Sequence, residues 1–226
     1  MLLSKSFILA LSALLPLINP IGSALVFLGL VGDEPAEVYR QLARKIAVAT
    51  FGFLVVIEFL GSHLLNFFGI SLPIVQVMGG IVIAATAWAL LFERDANASN
   101  RGKHQEIEGS APIEDDDLSG KIFYPFTFPI TAGPGTLVVT ITLSAHASVS
   151  SLIGTAEGYS GIALAAAVLA VSVYLCYGYA PRLIKAVSPA TVHGILRVMA
   201  FILMCIGAQI AWNGLSLLGV GSSVHQ

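Results

Sequence analysis

A chain of 226 residues that is 56% hydrophobic and only 11% charged lacks the polar surface a water-soluble body of this size needs, since soluble domains carry about 25% charged residues. Its formal net charge of −2 excludes a general electrostatic pull toward nucleic acid or acidic lipid. Most charges fall in two blocks, 33–45 and 93–121, and the rest of the chain is nearly bare.

A bilayer core takes about 20 apolar residues to cross as a helix. In chain order the sequence predicts spans over 7–31, 46–68, 70–92, 123–146, 159–181 and 192–217. Each must be helical, because lipid offers backbone N–H and C=O groups no partner. The first opens behind Lys5 as a secretory leader would, but its apolar run continues to Val31 without a small-residue cleavage site, so it reads as a retained span. The second carries Glu58 near mid-membrane. A carboxyl there must be protonated, paired or facing water, which makes Glu58 either a proton- or cation-coupling group or a neutral acid hydrogen-bonded to another helix. Asn66, Gly69, Ser71 and Pro73 mark a tight hairpin into the third span, where Gln76 is polar and Gly79-Gly80 allows close helix contact.

The segment 93–121 holds no comparable apolar run and reads as a solvated acidic loop on the cytoplasmic side. Glu114, Asp115, Asp116 and Asp117 lack the spacing of a calcium loop. Cys176 and Cys205, in the fifth and sixth spans, read as small hydrophobes, and no Cys or His spacing suggests a metal. Arg197, just inside the sixth span, either snorkels to the surface or caps carbonyls and closes a gate.

Two spans carry the same interruption. The first has Pro16 and then Asn19, Pro20, Gly22 and Ser23; the fourth has Pro129 and then Thr131, Gly133, Pro134, Gly135 and Thr136. An interior proline removes a donor and clashes with a preceding carbonyl, at about 3 kcal/mol. Such residues can simply kink a membrane helix. Paired at matching depth beside polar neighbours, they predict two helices broken near mid-membrane, whose ends expose N–H groups to an anion and carbonyls to a cation. Asn19, Pro20, Gly22, Ser23, Thr131, Gly133, Pro134, Gly135 and Thr136, nine residues, form the candidate substrate site, and a small amino acid needs that pair of chemistries. Glu58, Arg197 and Gln76 are the candidates for coupling or gating.

Arg40, Arg44, Lys45, Arg94, Arg101, Lys103, Lys121, Arg182 and Lys185 fall on one side of the predicted spans and Lys5 on the other. The basic side is expected to be cytoplasmic and both termini periplasmic. Ile74-Val75-Gln76-Val77-Met78 parallels Ile195-Leu196-Arg197-Val198-Met199. With three spans per half, the second half must run inverted. The expected architecture is an all-α membrane protein: a first three-helix repeat (1–92), the loop (93–121) and a second, inverted repeat (122–226).

Several ordered motifs carry a resemblance. Leu15-Pro16-Leu17-Ile18-Asn19-Pro20, Phe27-Leu28-Gly29-Leu30, Phe68-Gly69-Ile70-Ser71, Gly79-Gly80, Thr131-Ala132-Gly133-Pro134-Gly135-Thr136, Arg197-Val198-Met199 and Asn213-Gly214 together resemble the MarC family of bacterial and archaeal inner-membrane proteins. The likeness covers nearly the whole chain. It implies six spans in two inverted repeats, and the family includes a transporter of glycine and alanine. Carried over, the family's Asn-Pro motif falls on Asn19-Pro20, its Ala-Gly-Pro-Gly motif on Ala132-Gly133-Pro134-Gly135 and its last-span arginine on Arg197. The chain departs from the pattern at Gln76, where many relatives carry Arg, and at Asn19, where others carry Asp; both positions bear on substrate charge and coupling.

The expected function is a secondary transporter for small neutral amino acids, with a small-molecule substrate, membrane lipid as its surroundings and no nucleic-acid partner. No cofactor is expected beyond coupling to H+ or Na+. A channel or a non-transporting scaffold is the alternative. An intramembrane enzyme is a remote third, since Glu58 has no acidic partner in a span. No Gly-x-x-x-x-Gly-Lys-Ser/Thr loop is present for ATP.

Overall fold

A computed structural model describes residues 2–32, 34–92, 120–147, 151–182 and 189–219. Glu114, Asp115, Asp116 and Asp117, with nearly all of the predicted loop, lie outside the described residues. The described residues form helices only: α1 (Leu2–Ile18), α2 (Pro20–Val31), α3 (Ala36–Phe67), α4 (Leu72–Phe92), the widely wound α5 (Ile122–Thr131), α6 (Pro134–Ala147), α7 (Leu152–Gly178) and α8 (Pro189–Leu217). Among the described residues four stretches are long and apolar enough to cross a bilayer: Leu2–Val31, Leu72–Phe92, Leu152–Gly178 and Leu196–Leu217. The bent pair α5–α6 makes a fifth if it is one span.

α7 occupies the centre, packing on α1, α2, α3 and α6. Its composition allows this. Gly154, Gly158, Gly161, Ala165, Ala166 and Ala170 are buried along it, and small side chains let helices approach closely where lipid removes the hydrophobic drive between them. A Cβ on Gly161 would stand 2.5 Å from the Leu3 carbonyl oxygen of α1.

α3 ends in a Schellman cap. Ile70 N–H donates to the Leu65 carbonyl at 2.9 Å and Gly69 N–H to that of Asn66 at 3.1 Å, with Gly69 at φ 68°, a conformation glycine adopts without a Cβ penalty. The predicted tight hairpin is thus present as a turn, but α4 does not pack back along α3. It swings away to α8 and α6, and α4–α8 is the most extensive helix contact among the described residues. The reason is reciprocal glycine. A Cβ on Gly80 would stand 2.5 Å from the Gly207 carbonyl oxygen, and one on Gly207 2.7 Å from that of Gly80. Gly214 approaches the Pro73 carbonyl oxygen in the same way. The register is antiparallel, so Gln76 and Arg197 lie toward opposite ends of the pair.

The sequence predicts a break at 133–135 in the span over 123–146; α5, ahead of that break, is itself not a regular α-helix. Its sequence repeats an aromatic-Pro-apolar-Thr unit, Tyr124-Pro125-Phe126-Thr127 and Phe128-Pro129-Ile130-Thr131. Tyr124 and Phe128 are extended (φ near −120°, ψ near 125°), as residues before proline are pushed to be, and both following peptide bonds are cis. Each threonine then donates its hydroxyl to the carbonyl five residues back, Thr127 to Ile122 at 2.8 Å and Thr131 to Phe126 at 2.6 Å. The carbonyls the prolines leave without their helical donors are those of Lys121 and Pro125, and Phe126 N–H reaches the first of these at 3.4 Å; the hydroxyls tie the loosened turns at Ile122 and Phe126 instead.

An aromatic core binds α2, α5, α7 and the start of α3. Phe27 stacks on Tyr177 with centroids 4.5 Å apart and meets Phe126 and Tyr39 edge-on at 5.4 and 5.7 Å. All four rings are fully or almost fully buried.

Candidate functional site

The first interruption is a single residue. Asn19 sits in the left-handed region at φ 42°, ψ 68°, which asparagine tolerates better than most side chains. Its Oδ1 accepts the Gly22 N–H at 3.2 Å, capping α2. Pro20 occupies the first helical position, where a missing N–H does least harm. It still leaves the Pro16 carbonyl without its helical donor. Asn19 N–H to Leu15 and Ser23 N–H to Asn19 continue the helical bonding at 2.9 and 2.8 Å, so Leu2–Val31 remains one span with a notch in it.

The second interruption is larger. α5 and α6 meet at 73° across Ala132 and Gly133. α6 opens with Pro134 at its first position. Thr136 donates both its N–H (2.9 Å) and its hydroxyl (2.6 Å) to the Gly133 carbonyl. Pro134, lacking an N–H, cannot bond the Ile130 carbonyl, and the hydroxyl of Ser23 lies 3.4 Å from that oxygen. Ser23 also donates to Ile18 at 2.6 Å. One buried serine therefore touches both interruptions.

Tyr177 completes the link. Its hydroxyl lies 2.8 Å from that of Thr131 and also hydrogen-bonds Ser23. Thr131 and Ser23 have committed their protons to backbone carbonyls, so the tyrosine proton is the one shared between them. Nothing in the sequence singled out Tyr177, which is one aromatic in an apolar run. Tyr177→Phe should cost about 1 kcal/mol, the worth of an ordinary buried hydrogen bond, because both partners keep their backbone acceptors. Thermal unfolding in detergent measures this.

The two interruptions open on one cavity of about 60 Å³, room for a few water-sized groups. It is lined by Pro16, Leu17 and Asn19 from the first, by Pro129, Gly133, Pro134, Gly135 and Thr136 from the second, and is closed by Val82, Ile83, Thr86 and Leu90 of α4 and Leu203 of α8. Five of the nine predicted substrate residues line it: Asn19, Gly133, Pro134, Gly135 and Thr136. The others stand behind. Ser23 and Thr131 form the tether just described; Pro20 is buried. Gly22 lies against α8, where an added Cβ would stand 2.9 Å from Leu196 Cδ2. Thr86 was missed, being one hydroxyl in a helix without periodic signal.

None of the lining side chains is charged. The predicted coupling and gating residues lie elsewhere. Glu58 of α3 is 1% exposed, with neither carboxyl oxygen hydrogen-bonded among the described residues. Gln76 of α4 is 2% exposed with its Oε1 likewise unpartnered. Arg197 is exposed on α8. Among the described residues no group of three or more His, Cys, Asp or Glu could hold a metal ion.

Long apolar helices, a notched span and a sharply bent span, converging on an uncharged cavity, define a polytopic integral membrane protein with an internal polar-backbone site. The sequence profile described as MarC family integral membrane protein matches residues 4–218, and the chain belongs to this family. It is 31% identical to the inner membrane protein MarC of Citrobacter koseri over 219 residues and 30% identical to that of Salmonella paratyphi A over 218, covering 94% of this chain and 95% of each relative. The MarC protein of Escherichia coli O1:K1 is 28% identical over 214 residues, with the same coverage. No solved structure matches. The chain is accordingly an integral protein of the bacterial inner membrane.

Proposed function

We propose that this protein is a secondary transporter moving small neutral amino acids, of the glycine and alanine class, across the inner membrane by alternating access. The observation that carries the reading is the meeting of two helix interruptions at one cavity without a charged side chain. The Pro16 carbonyl, freed by Pro20, and the Gly135 N–H in the first turn of α6 belong to residues lining the same cavity and carry opposite partial charges, which suits a zwitterion with no net charge. The small volume and the branched walls from α4 and α8 suit a small side chain. Because the α4–α8 pair forms one wall and the two interrupted helices the other, relative movement of these units would open the cavity.

The same proposal includes six spans in two inverted three-helix repeats with both termini periplasmic. α3 supplies the sixth span, since 46–67 holds Glu58 as its one charged residue. Coupling to H+ or Na+ is assigned to Glu58, the buried carboxyl without a partner among the described residues, with Gln76 and Arg197 as gating candidates. No further cofactor is proposed.

The test is flux. In proteoliposomes, radiolabelled alanine or glycine should accumulate above empty vesicles under an imposed proton or sodium gradient, and Glu58→Gln should remove the gradient dependence. A reporter fused to the C-terminus should be active only on the periplasmic side. No flux for any small neutral amino acid would sink the substrate class. Unitary currents in planar bilayers would replace the carrier with a channel, because carriers turn over too slowly to produce them.

A further inference from the structure

We propose that the outer groove between α3 and α7 is a binding site for one anionic phospholipid, with an acyl chain in the groove and the headgroup phosphate on Arg44. The groove has a volume of about 410 Å³. Its floor is alanine, notably Ala47 and Ala170, and its walls are larger, Phe51 and Tyr174, with Arg44 as its one charged lining residue. Alternation of very small and large side chains on two packed helices leaves a furrow on the lipid-facing side.

The register fixes where the charge lies. A Cβ on Gly178, at the end of α7, would stand 3.7 Å from both Ala43 Cβ and Arg40 Cγ near the start of α3, while Tyr159 near the start of α7 stacks on Phe59 toward the end of α3 with centroids 5.1 Å apart, so α3 and α7 run antiparallel. Arg40 and Arg44 therefore lie at the end where α7 finishes. From Arg44 to Phe51 the furrow follows about 10 Å of helix, leading away from the basic end into the apolar zone.

At that end, among the described residues, more positive charge gathers than is neutralised. The guanidiniums of Arg40 and Arg182 stand 5.5 and 5.8 Å from the centre of the same Tyr179 ring. Arg40 meets Glu37 at 3.9 Å, in an exposed pair, and its Nε is buried without a hydrogen-bond partner. Arg44 is exposed and has no ion pair among the described residues. Like charges this close repel. A phosphate relieves that repulsion and matches the planar donor fork of arginine. Free inorganic phosphate would satisfy the arginines but leave the furrow empty, whereas a phospholipid satisfies both. The net charge of the chain conceals this site, because the recognition is local.

The experiment uses the full-length protein in mixed micelles holding equal amounts of phosphatidylglycerol and phosphatidylethanolamine, with lipid retained after size exclusion measured by mass spectrometry. Wild type should be enriched in phosphatidylglycerol. Arg44→Ala should lower that enrichment about fivefold, the effect of one basic residue at an anionic surface, and Arg44→Lys should keep part of it. Ala167→Leu, which narrows the furrow, should reduce bound phosphatidylglycerol at unchanged elution volume. Three results would overturn the proposal: no enrichment in wild type, enrichment indifferent to Arg44→Ala, or displacement of bound lipid by inorganic phosphate alone. A change of oligomeric state in Ala167→Leu with lipid retention intact would overturn it too, giving the furrow to a second copy of the chain.

Discussion

Gly135→Leu should reduce alanine flux in proteoliposomes at least tenfold while the protein, somewhat destabilised, still folds and elutes as wild type does. The reasoning is steric. A Cβ at position 135 would stand 2.8 Å from Ile83 Cγ1 and 2.9 Å from Leu17 Cδ2. Both obstacles are side chains that border the cavity: Leu17 Cδ2 is a chain end that can turn aside into it, whereas Ile83, β-branched and stiff at χ1, must move as a whole by a few tenths of an ångström. The fold loses about 1–3 kcal/mol, typical of overpacking, and the cavity of about 60 Å³ loses its space. Gly135→Ala adds one methyl and should leave partial flux. Tenfold is about 1.4 kcal/mol of barrier, a modest demand on a side chain lying in the substrate's place. A Gly135→Leu protein that elutes natively and transports at the wild-type rate would mean the solute never visits this cavity. In a scaffold protein the same variant would keep its phenotype.

The second large effect is on assembly. Gly80→Leu and Gly207→Leu should each destabilise the protein by about 3 kcal/mol, the upper end of overpacking costs, read as lowered thermal midpoints in detergent. At these positions the obstacles are backbone: the Gly207 carbonyl oxygen at 2.5 Å for one, the Ala84 nitrogen and Gly80 carbonyl oxygen at 2.6 and 2.7 Å for the other. Backbone cannot rotate away, so the whole α4–α8 contact must open. The double variant should be no better than either single one, since each side chain separates the helices by itself. Gly52 is the control. A Cβ there meets nothing within 4 Å, and Gly52→Ala should be neutral or stabilising by about 0.5–1 kcal/mol through helix propensity. Equal midpoints for all of these variants would show that the close glycine contact carries no stability.

The site was legible where its chemistry is backbone chemistry. Asn19, Pro20, Gly133, Pro134 and Gly135 announce themselves because proline and glycine alter local conformation whatever surrounds them, and the left-handed Asn19 and the 73° bend are found where those residues stand. Side-chain partnership left no such trace. Tyr177 reaches Thr131 across 46 positions and Ser23 reaches Ile130 across 107, and one aromatic or one hydroxyl in an apolar run carries no record of its partner. The two interruptions also looked alike in sequence. One proved a notch and the other a bend, because a capping asparagine lets helical bonds continue through 19, whereas 132 and 133 are non-helical and follow the doubled proline repeat of α5.

By itself the sequence determined the solvent, the helical class and the places where helices must break. Long uncharged runs have no stable home in water, lipid forbids unsatisfied backbone, and proline lacks a donor in any setting. Tertiary structure alone decided which helices meet: that α4 leaves its hairpin partner for α8, that α7 takes the centre, and that Glu58, Gln76 and Arg197 stand outside the cavity. Between apolar helices in lipid the choice of partner turns on close contact between small residues. That depends on which faces are brought together, and a linear order of glycines and alanines does not state it.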